Sequence, residues 1–203
     1  MSKLAILILA AGNASRMGFP KQLLKWKDTN LLQHVINSVK QIENDGVYLV
    51  LGANYEKIIS EIDNRNIHVL KNDTWQKGLG NSIVFGVHHI TKFQPKTNQV
   101  LIVLADQPLI NAHYFNTLIN AHTESKQEIT CTLYKDGKLG VPAIFNKAYF
   151  DKLLQLNQDK GAKEVLKKYS KDLKFVDGKD VIVDIDTMED YKILYKKHHI
   201  EDR

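Results

Sequence analysis

Hydrophobic positions along the chain fall into two alternating rhythms. Leu4–Leu9 and Val100–Ala105 are unbroken apolar runs, the pattern of strands covered on both faces. Val47–Leu51, ended by Gly52, and Ile67–Leu70 predict two further strands. Between them Leu31, Leu32, Val35, Ile36, Val39 and Ile42 recur at helical spacing, and Glu56–Ile62 and Gly80–Ile90 also read as helical. The segments Ala112–His122, Glu128–Tyr134, Pro142–Phe145, Ala148–Leu154 and Ala162–Tyr169 continue the alternation, Val181–Ile185 reads as a last strand, and Met188–Lys197 as a closing helix. Strands alternating with helices imply a three-layer Rossmann-like α/β architecture, a mostly parallel sheet with helices on both faces. Ligands of such sheets lie beyond the carboxyl ends of the strands, so the residues following Leu9, Leu70, Ala105 and Ile185 carry the interest.

Composition narrows the class. A chain of 203 residues fits one domain with a sizeable core, and neither a repeat nor a Pro/Gly/Ser linker divides residues 1–203. A hydrophobic fraction of 43% and a charged fraction of 25% are those of a globular protein, not a disordered one. The lone Cys131 excludes a disulfide framework and a multi-thiolate metal site. Its place in the alternation Ile129, Cys131, Leu133 predicts a small buried hydrophobe, and a reducing, cytoplasmic setting is expected. The opening apolar run is too short to span a bilayer, and a glycine loop with Arg16 and Lys21 follows it where a leader would have a cleavage site. It reads as a strand, with no membrane partner, and the N-x-S/T matches at Asn13 and Asn72 read as chance. The net charge of +5 is spread along the chain. That suits anionic substrates but provides no dense basic stripe, so no nucleic-acid partner is expected.

The first loop, Leu9-Ala-Ala-Gly-Asn-Ala-Ser-Arg-Met-Gly-Phe-Pro-Lys21, carries the first chemistry. Small residues at Ala10, Ala11 and Gly12 let backbone N–H groups approach phosphate oxygens. Arg16 offers a bidentate fork and Lys21 a mobile point charge, a pair suited to a triphosphate released as pyrophosphate. The loop has neither the Walker A pattern nor the G-x-G-x-x-G spacing.

Acids stand at two other strand ends. Asp106, in Leu104-Ala-Asp-Gln-Pro, ends a buried strand, where a bare carboxylate is costly unless a cation such as Mg²⁺ compensates it. Its other reading is a cap for the helix that begins near Asn111. In Asp184-Ile-Asp186-Thr-Met-Glu-Asp190, strand alternation sends Asp184 and Asp186 to one face, while Thr187, Glu189 and Asp190 also make a good helix start. Two hard-oxygen ligands from separate strand ends are typical of Mg²⁺. The eight histidines are scattered and read as surface or helix-end residues, and no Ser-His-Asp or Cys-His arrangement is evident.

The signature L-A-A-G-x-S-x-R-M-G-x-x-K resembles that of the MobA/MocA-type nucleotidyltransferases, and the resemblance runs nearly the length of the chain. It is nearest to molybdenum cofactor cytidylyltransferases, which transfer CMP from CTP to molybdopterin. The resemblance implies a GT-A-like fold with a nucleotide-binding half (residues 1–110) and an acceptor half (111–203). It assigns triphosphate binding to Arg16 and Lys21, the metal to Asp106, and a second metal ligand to Asp186, with Asp184 the weaker match; Met188 stands where the family has Pro. Leu9, Ala10, Ala11, Gly12 and Ser15 complete the nucleotide loop, and catalysis falls to Arg16, Lys21 and Asp106.

The family's N-x-x-[WY]-x-x-G-M-S-S-S-[LI] pattern is matched by Asn72, Trp75, Gly78, Ser82 and Ile83 and departed from at Leu79, Gly80 and Asn81. Asn72, Gly80 and Ser82 are nucleotide-binding candidates here, against the reading of an ordinary capped helix start. Gly140-Val-Pro142 resembles G-H-P with Val141 in place of His, and Gln158-Asp-Lys160-Gly-Ala resembles G-D-K-G-A. Gly140, Pro142, Asp159 and Lys160 are thus acceptor-binding candidates, although Asp159 and Lys160 equally suit a helix cap. Trp26 and Trp75 suit base or pterin stacking, or core packing. Ala11, where GTP-using relatives carry Gly, narrows the space beside the base and favours CTP. The expected partners are CTP, molybdopterin and a molybdoenzyme recipient. The alternatives are a sugar- or polyol-phosphate nucleotidyltransferase and a non-catalytic cofactor-binding accessory protein. Retention of both cations and both carboxylates argues against the accessory protein.

Overall fold

The computed structural model describes residues 3–13, 17–171, 173–179 and 181–199. Its seven-stranded sheet has the order β5-β4-β1-β6-β8-β7-β9. The strands are β1 (Leu4–Ala10), β4 (Gly46–Leu51), β5 (His68–Lys71), β6 (Gln99–Leu104), β7 (Ile129–Leu133), β8 (Leu139–Asn146) and β9 (Leu173–Asp177). Only β8 runs against its neighbours, so the predicted mostly parallel, Rossmann-like α/β sheet is observed. A two-stranded ribbon, β2 (Lys25–Trp26) and β3 (Thr29–Asn30), stands beside the sheet.

The central strand shows why the sheet forms. Every residue of β1 is buried, and its side chains alternate between two cores. Leu4, Ile6, Ile8 and Ala10 join α1 (Leu31–Val39) and α4 (Ala112–Glu124), whereas Ala5, Leu7 and Leu9 join α3 (Leu79–Phe93), α5 (Phe150–Leu154) and α6 (Ala162–Lys168). The helix α2 (Tyr55–Ile59) adds Ile58 to the first core. The helix expected over Gly80–Ile90 is observed and runs from Leu79 to Phe93, and Gly80 marks the place where α3 passes the 157–160 segment. Its N–H donates to the Gln158 carbonyl at 2.9 Å, and a Cβ there would meet the carbonyl oxygens of Lys160 at 2.6 Å and Asn157 at 3.0 Å.

A third cluster of Leu24, Trp26, Leu31, Ile185 and Leu194 fastens the closing helix α7 (Met188–His199) to the ribbon. Trp26 is therefore core, with the His199 ring edge-on at 4.8 Å between centroids. Thr187 and Asp190 start α7 with a reciprocal capping box: the carboxylate accepts from Thr187 N at 2.8 Å, and Thr187 Oγ1 accepts from Asp190 N at 3.1 Å.

Two expectations are corrected. Val181–Ile185 is not a strand. The chain turns at Gly178, whose carbonyl accepts from the N–H groups of both Val181 and Ile182. The sheet edge that segment would have joined belongs to β9, paired in parallel with β7. β9 escaped prediction because none of its residues is buried: Leu173 and Val176 are half-buried, and Lys174, Phe175 and Asp177 are exposed. The alternation at 181–185 is real, but it buries Ile185 in the third cluster while the segment crosses the carboxyl end of the sheet.

The second correction concerns His122, read as a surface or helix-end residue. It does lie in the last turn of α4, but only 4% of it is exposed. Its ring nitrogens are 2.8 Å from Thr130 Oγ1 and 2.9 Å from Asn146 Oδ1. The acceptor at Asn146 fixes the proton on Nε2, so Nδ1 accepts from Thr130. Cys131, by contrast, is buried as expected, and burial pushes its thiol up to about 12.

Burial holds the pKa of His122 below the ordinary histidine value. The unfolded chain then binds that proton more readily than the folded one, and stability falls as pH drops through about 6.5. Urea unfolding at pH 7.5 and 5.5 is expected to show this loss, and His122→Gln to reduce it.

Candidate active site

The carboxyl ends of β1 and β6 open onto a cavity of about 360 Å³ lined by Leu9–Gly12, Lys21, Gln22, Trp75, Ser82, Leu104–Asp106 and Asp159 among others. The loop after β1 forms one wall, held by the buried amide of Gln22. Gln22 Nε2 donates to the carbonyl of Ala10 at 2.9 Å and of Gly12 at 3.1 Å. The carbonyl between them, Ala11, accepts from Ala53 N at 3.0 Å. Three successive carbonyls are thereby engaged by protein donors and withdrawn from repelling an anion. A Cβ built on Gly12 meets nothing within 4 Å, so there is open space beside the loop. Gly52, after β4, allows Trp75 to lie against this wall, since a Cβ there would collide with Trp75 Cβ and the Ala11 carbonyl.

Lys21 follows in a short 3₁₀ turn, Lys21–Leu23. Its Nζ lies 2.5 Å from Asp106 Oδ2, 3.1 Å from the Ile185 carbonyl and 3.6 Å from Asp186 Oδ1. Asp106 does not cap the next helix. Asn111 does, accepting from Tyr114 N at 3.1 Å. The Asp106 carbonyl instead accepts from Ile185 N at 3.0 Å, which brings the 184–186 segment beside it. Among the described residues Asp106 Oδ1 is buried without a hydrogen-bond partner, while the Asp186 side chain is 60% exposed. Two hard-oxygen carboxylates, one with an unsatisfied buried oxygen, are a donor set that fits a divalent cation that keeps waters and phosphate oxygens for its other positions. No group of three or more His, Cys, Asp or Glu able to hold a metal occurs among the described residues.

A second cavity, about 390 Å³, shares Leu9, Leu79, Leu104 and Asp159 with the first and extends to Tyr134, Gly140, Val141, Lys163 and Asp184. Gln107, fully buried, joins its parts. The Gln107 Nε2 group donates to Asp184 Oδ1 at 2.8 Å and to Tyr134 OH at 3.1 Å, and Tyr134 OH donates to the Val141 carbonyl. Asp184 is exposed to the cleft, though its carboxyl is partly desolvated by the walls around it. That desolvation pushes its carboxyl above the usual range, with Asp106 and Asp186 adding to the effect against the Gln107 bond and Lys21.

The remaining candidates are distributed unevenly. Ser15 and Arg16 lie outside the described residues. Ser82 lines the first cavity, whereas Asn72 is buried behind it, its amide donating to Asn81 Oδ1 and Ser82 Oγ at 3.2 Å each. The N–H of Gly80 is taken by Gln158. Gly140 lies against the Tyr134 ring and lines the second cavity. Pro142 is buried in β8, where its carbonyl accepts from Thr132 Oγ1 at 2.8 Å. Asp159 lines both cavities, while Lys160 faces a separate hollow with Lys152 and Lys167. Sequence reasoning passed over Gln22 and Tyr134 and gave Gln107 no role. The available signal was an amide at position 22 between Lys21 and the apolar pair Leu23-Leu24.

No helix among the described residues is long and apolar enough to cross a membrane. The bifunctional protein GlmU of Psychrobacter cryohalolentis is 31% identical over 146 residues, which cover 68% of this chain and 31% of that protein. The chain spans about a quarter to a third of the length of the curated relatives it matches. Among solved structures, Rv0371c of Mycobacterium tuberculosis H37Rv superposes with a TM-score of 0.83 at 24% identity, over 96% of this chain and 98% of that one, and it has also been solved in complex with manganese. The 4-diphosphocytidyl-2C-methyl-D-erythritol synthase of Anaerococcus prevotii gives a TM-score of 0.75 at 18% identity over 97% and 96% of the two chains. These likenesses establish a shared fold. The MobA-like NTP transferase domain matches residues 6–173, most of the chain, and the protein belongs to that family.

Proposed function

We propose that the protein is a Mg²⁺-dependent nucleotidyltransferase that moves CMP from CTP to the phosphate of molybdopterin and releases pyrophosphate. The observation that carries this reading is the meeting of Lys21 with Asp106 and Asp186 at the wall of a cavity ringed by Leu9–Gly12. An acceptor phosphate oxygen bonds to the α-phosphorus as the bond from that phosphorus to the bridging oxygen of the β-phosphate breaks, and pyrophosphate departs with the electron pair. The acceptor is already anionic, so no strong general base is needed. A Mg²⁺ held by Asp106 and Asp186 would neutralise charge on the triphosphate.

The chain's own residues do the rest. Lys21, with Arg16, binds triphosphate oxygens, and the loop fixed by Gln22 presents a wall free of unpaired carbonyls. Asn72 and Gly80 shape the cavity from behind, and Ser82 contacts the nucleotide. Ala11 lines the cavity and limits the room beside the base, which favours a pyrimidine. For the acceptor, the flanking walls of Leu79, Ile83, Leu104 and Val141 suit a flat heterocycle, with Asp159 and Asp184 offering hydrogen-bond acceptors. Gly140 and Pro142 set the shape of that wall, and Lys160 guides an anionic acceptor from outside.

A second reading, a polyol-phosphate cytidylyltransferase, is favoured by the structural likeness to a diphosphocytidyl-methylerythritol synthase and by Val141, which stands where the molybdopterin enzymes carry histidine.

Asp106→Ala is expected to lower turnover at least about a hundredfold in a pyrophosphate-release assay; wild-type rates in Mg²⁺ would remove Asp106 from the site. Run with CTP, GTP, ATP and UTP, the same assay is expected to favour CTP, and with molybdopterin and methylerythritol phosphate as acceptors it separates the two readings. Gln22→Leu deprives two carbonyls of their donor, so it is expected to cost about 1–3 kcal/mol in urea unfolding and to raise KM for CTP more than KM for the acceptor.

A further inference from the structure

Lys21 already stands between the two carboxylates that a divalent ion would use. Oxygens of Asp106, Asp186 and the Ile185 carbonyl, from two separate segments, all lie within 3.6 Å of one ammonium. Its side chain is 19% exposed and that of Asp106 is 18% exposed, so water screens their interaction far less than it would on an open surface. The ammonium offsets one of three formal negative charges, since Asp184 adds its own field to those of Asp106 and Asp186. A divalent ion approaching Asp106 alone must therefore displace or face a resident positive charge.

A triphosphate changes that balance. It offers Lys21 a denser anion than the carboxylate it leaves, and the lysine stem is flexible enough to carry a compact charge from one to the other. We propose, resting on the nucleotidyltransferase reading above, that Lys21 is the resident cation of the free protein and closes the Asp106–Asp186 pair to metal alone. The nucleotide substrate is then the metal–NTP chelate, whose phosphates draw Lys21 away and uncover Asp106. One side chain thus serves as counter-ion in the free state and as phosphate ligand in the loaded one.

Manganese, titrated into the protein by calorimetry and by electron paramagnetic resonance of the free ion, reads this directly. Wild-type protein without nucleotide is expected to bind Mn²⁺ weakly. Lys21→Met, similar in length but uncharged, is expected to bind it at least about tenfold more tightly, as is Lys21→Gln. A non-hydrolysable CTP analogue is expected to bring the wild type to tight Mn²⁺ binding, and Asp106→Asn added to Lys21→Met to abolish the gain. Thermal denaturation monitors folding, and Mn²⁺ should raise the Tm of Lys21→Met more than that of the wild type. Equal and tight binding by wild type and Lys21→Met overturns the gating and leaves nucleotide transfer standing. Folded Lys21→Met that binds no Mn²⁺, with or without the analogue, overturns the gating together with the metal site on which the transferase reading rests.

Discussion

An acid at the end of a buried strand must be paired, and the pairing of Asp106 organises this protein. Asp106 follows β6 in the middle of the sheet, where an isolated carboxylate would be strongly disfavoured. The Lys21 ammonium answers it from 85 residues away in the chain and reaches at the same time to Ile185, 164 residues beyond Lys21. Three distant segments are thereby brought to one point above the sheet. The hydrogen bond from Ile185 N to the Asp106 carbonyl keeps the last of them there even if the ammonium moves.

The surrounding architecture makes that point a cleft. The alternation of β1 side chains between two cores fixes the strand so firmly that the loop after Ala10 starts from a rigid base. Gln22 then folds this loop back on its own carbonyls, which determines where Lys21 begins. On the other side Gln107 ties the loop after β6 both to Tyr134, at the end of β7, and to Asp184. A fully buried amide whose NH₂ group bridges two partners transmits position between the cavities without carrying charge. The Gln107 Oε1 atom, like Gln22 Oε1 and Asp106 Oδ1, is buried without a hydrogen-bond partner among the described residues, so unsatisfied oxygens are concentrated at this site.

The third hydrophobic cluster has a less obvious role. Ile185 is completely buried in a cluster with Leu24, Trp26, Leu31 and Leu194, and it lies between the two acids at 184 and 186. Burying that one residue fixes which way its neighbours face: Asp184 toward Gln107 and the second cavity, Asp186 toward Lys21 and solvent. The capping box of Thr187 and Asp190 holds the next residues in place. Asp190 is thereby accounted for as a helix-start residue, and the acids nearer the sheet remain available to the cleft.

The amino-acid sequence by itself determined the layers. Uninterrupted apolar runs of strand length, set between segments of helical period, read as strands covered on both faces, and helical periodicity marks which side of each helix meets them, so β1, β6, α1 and α3 were legible. The loop's small residues and the strand-end position of Asp106 were legible too, because both follow from local chain geometry. Tertiary structure alone decided the rest. The alternation at 181–185 looked like a strand, but whether such a segment pairs depends on a free sheet edge, and β9 occupies it. Gln22, Gln107 and Tyr134 matter through partners 7 to 77 residues distant, and no periodic pattern records such hydrogen bonds. Whether Lys21 points at a phosphate or at an acid is likewise a matter of competing charges brought together only when the sheet closes, since electrostatic energy depends on distance in space and not along the chain.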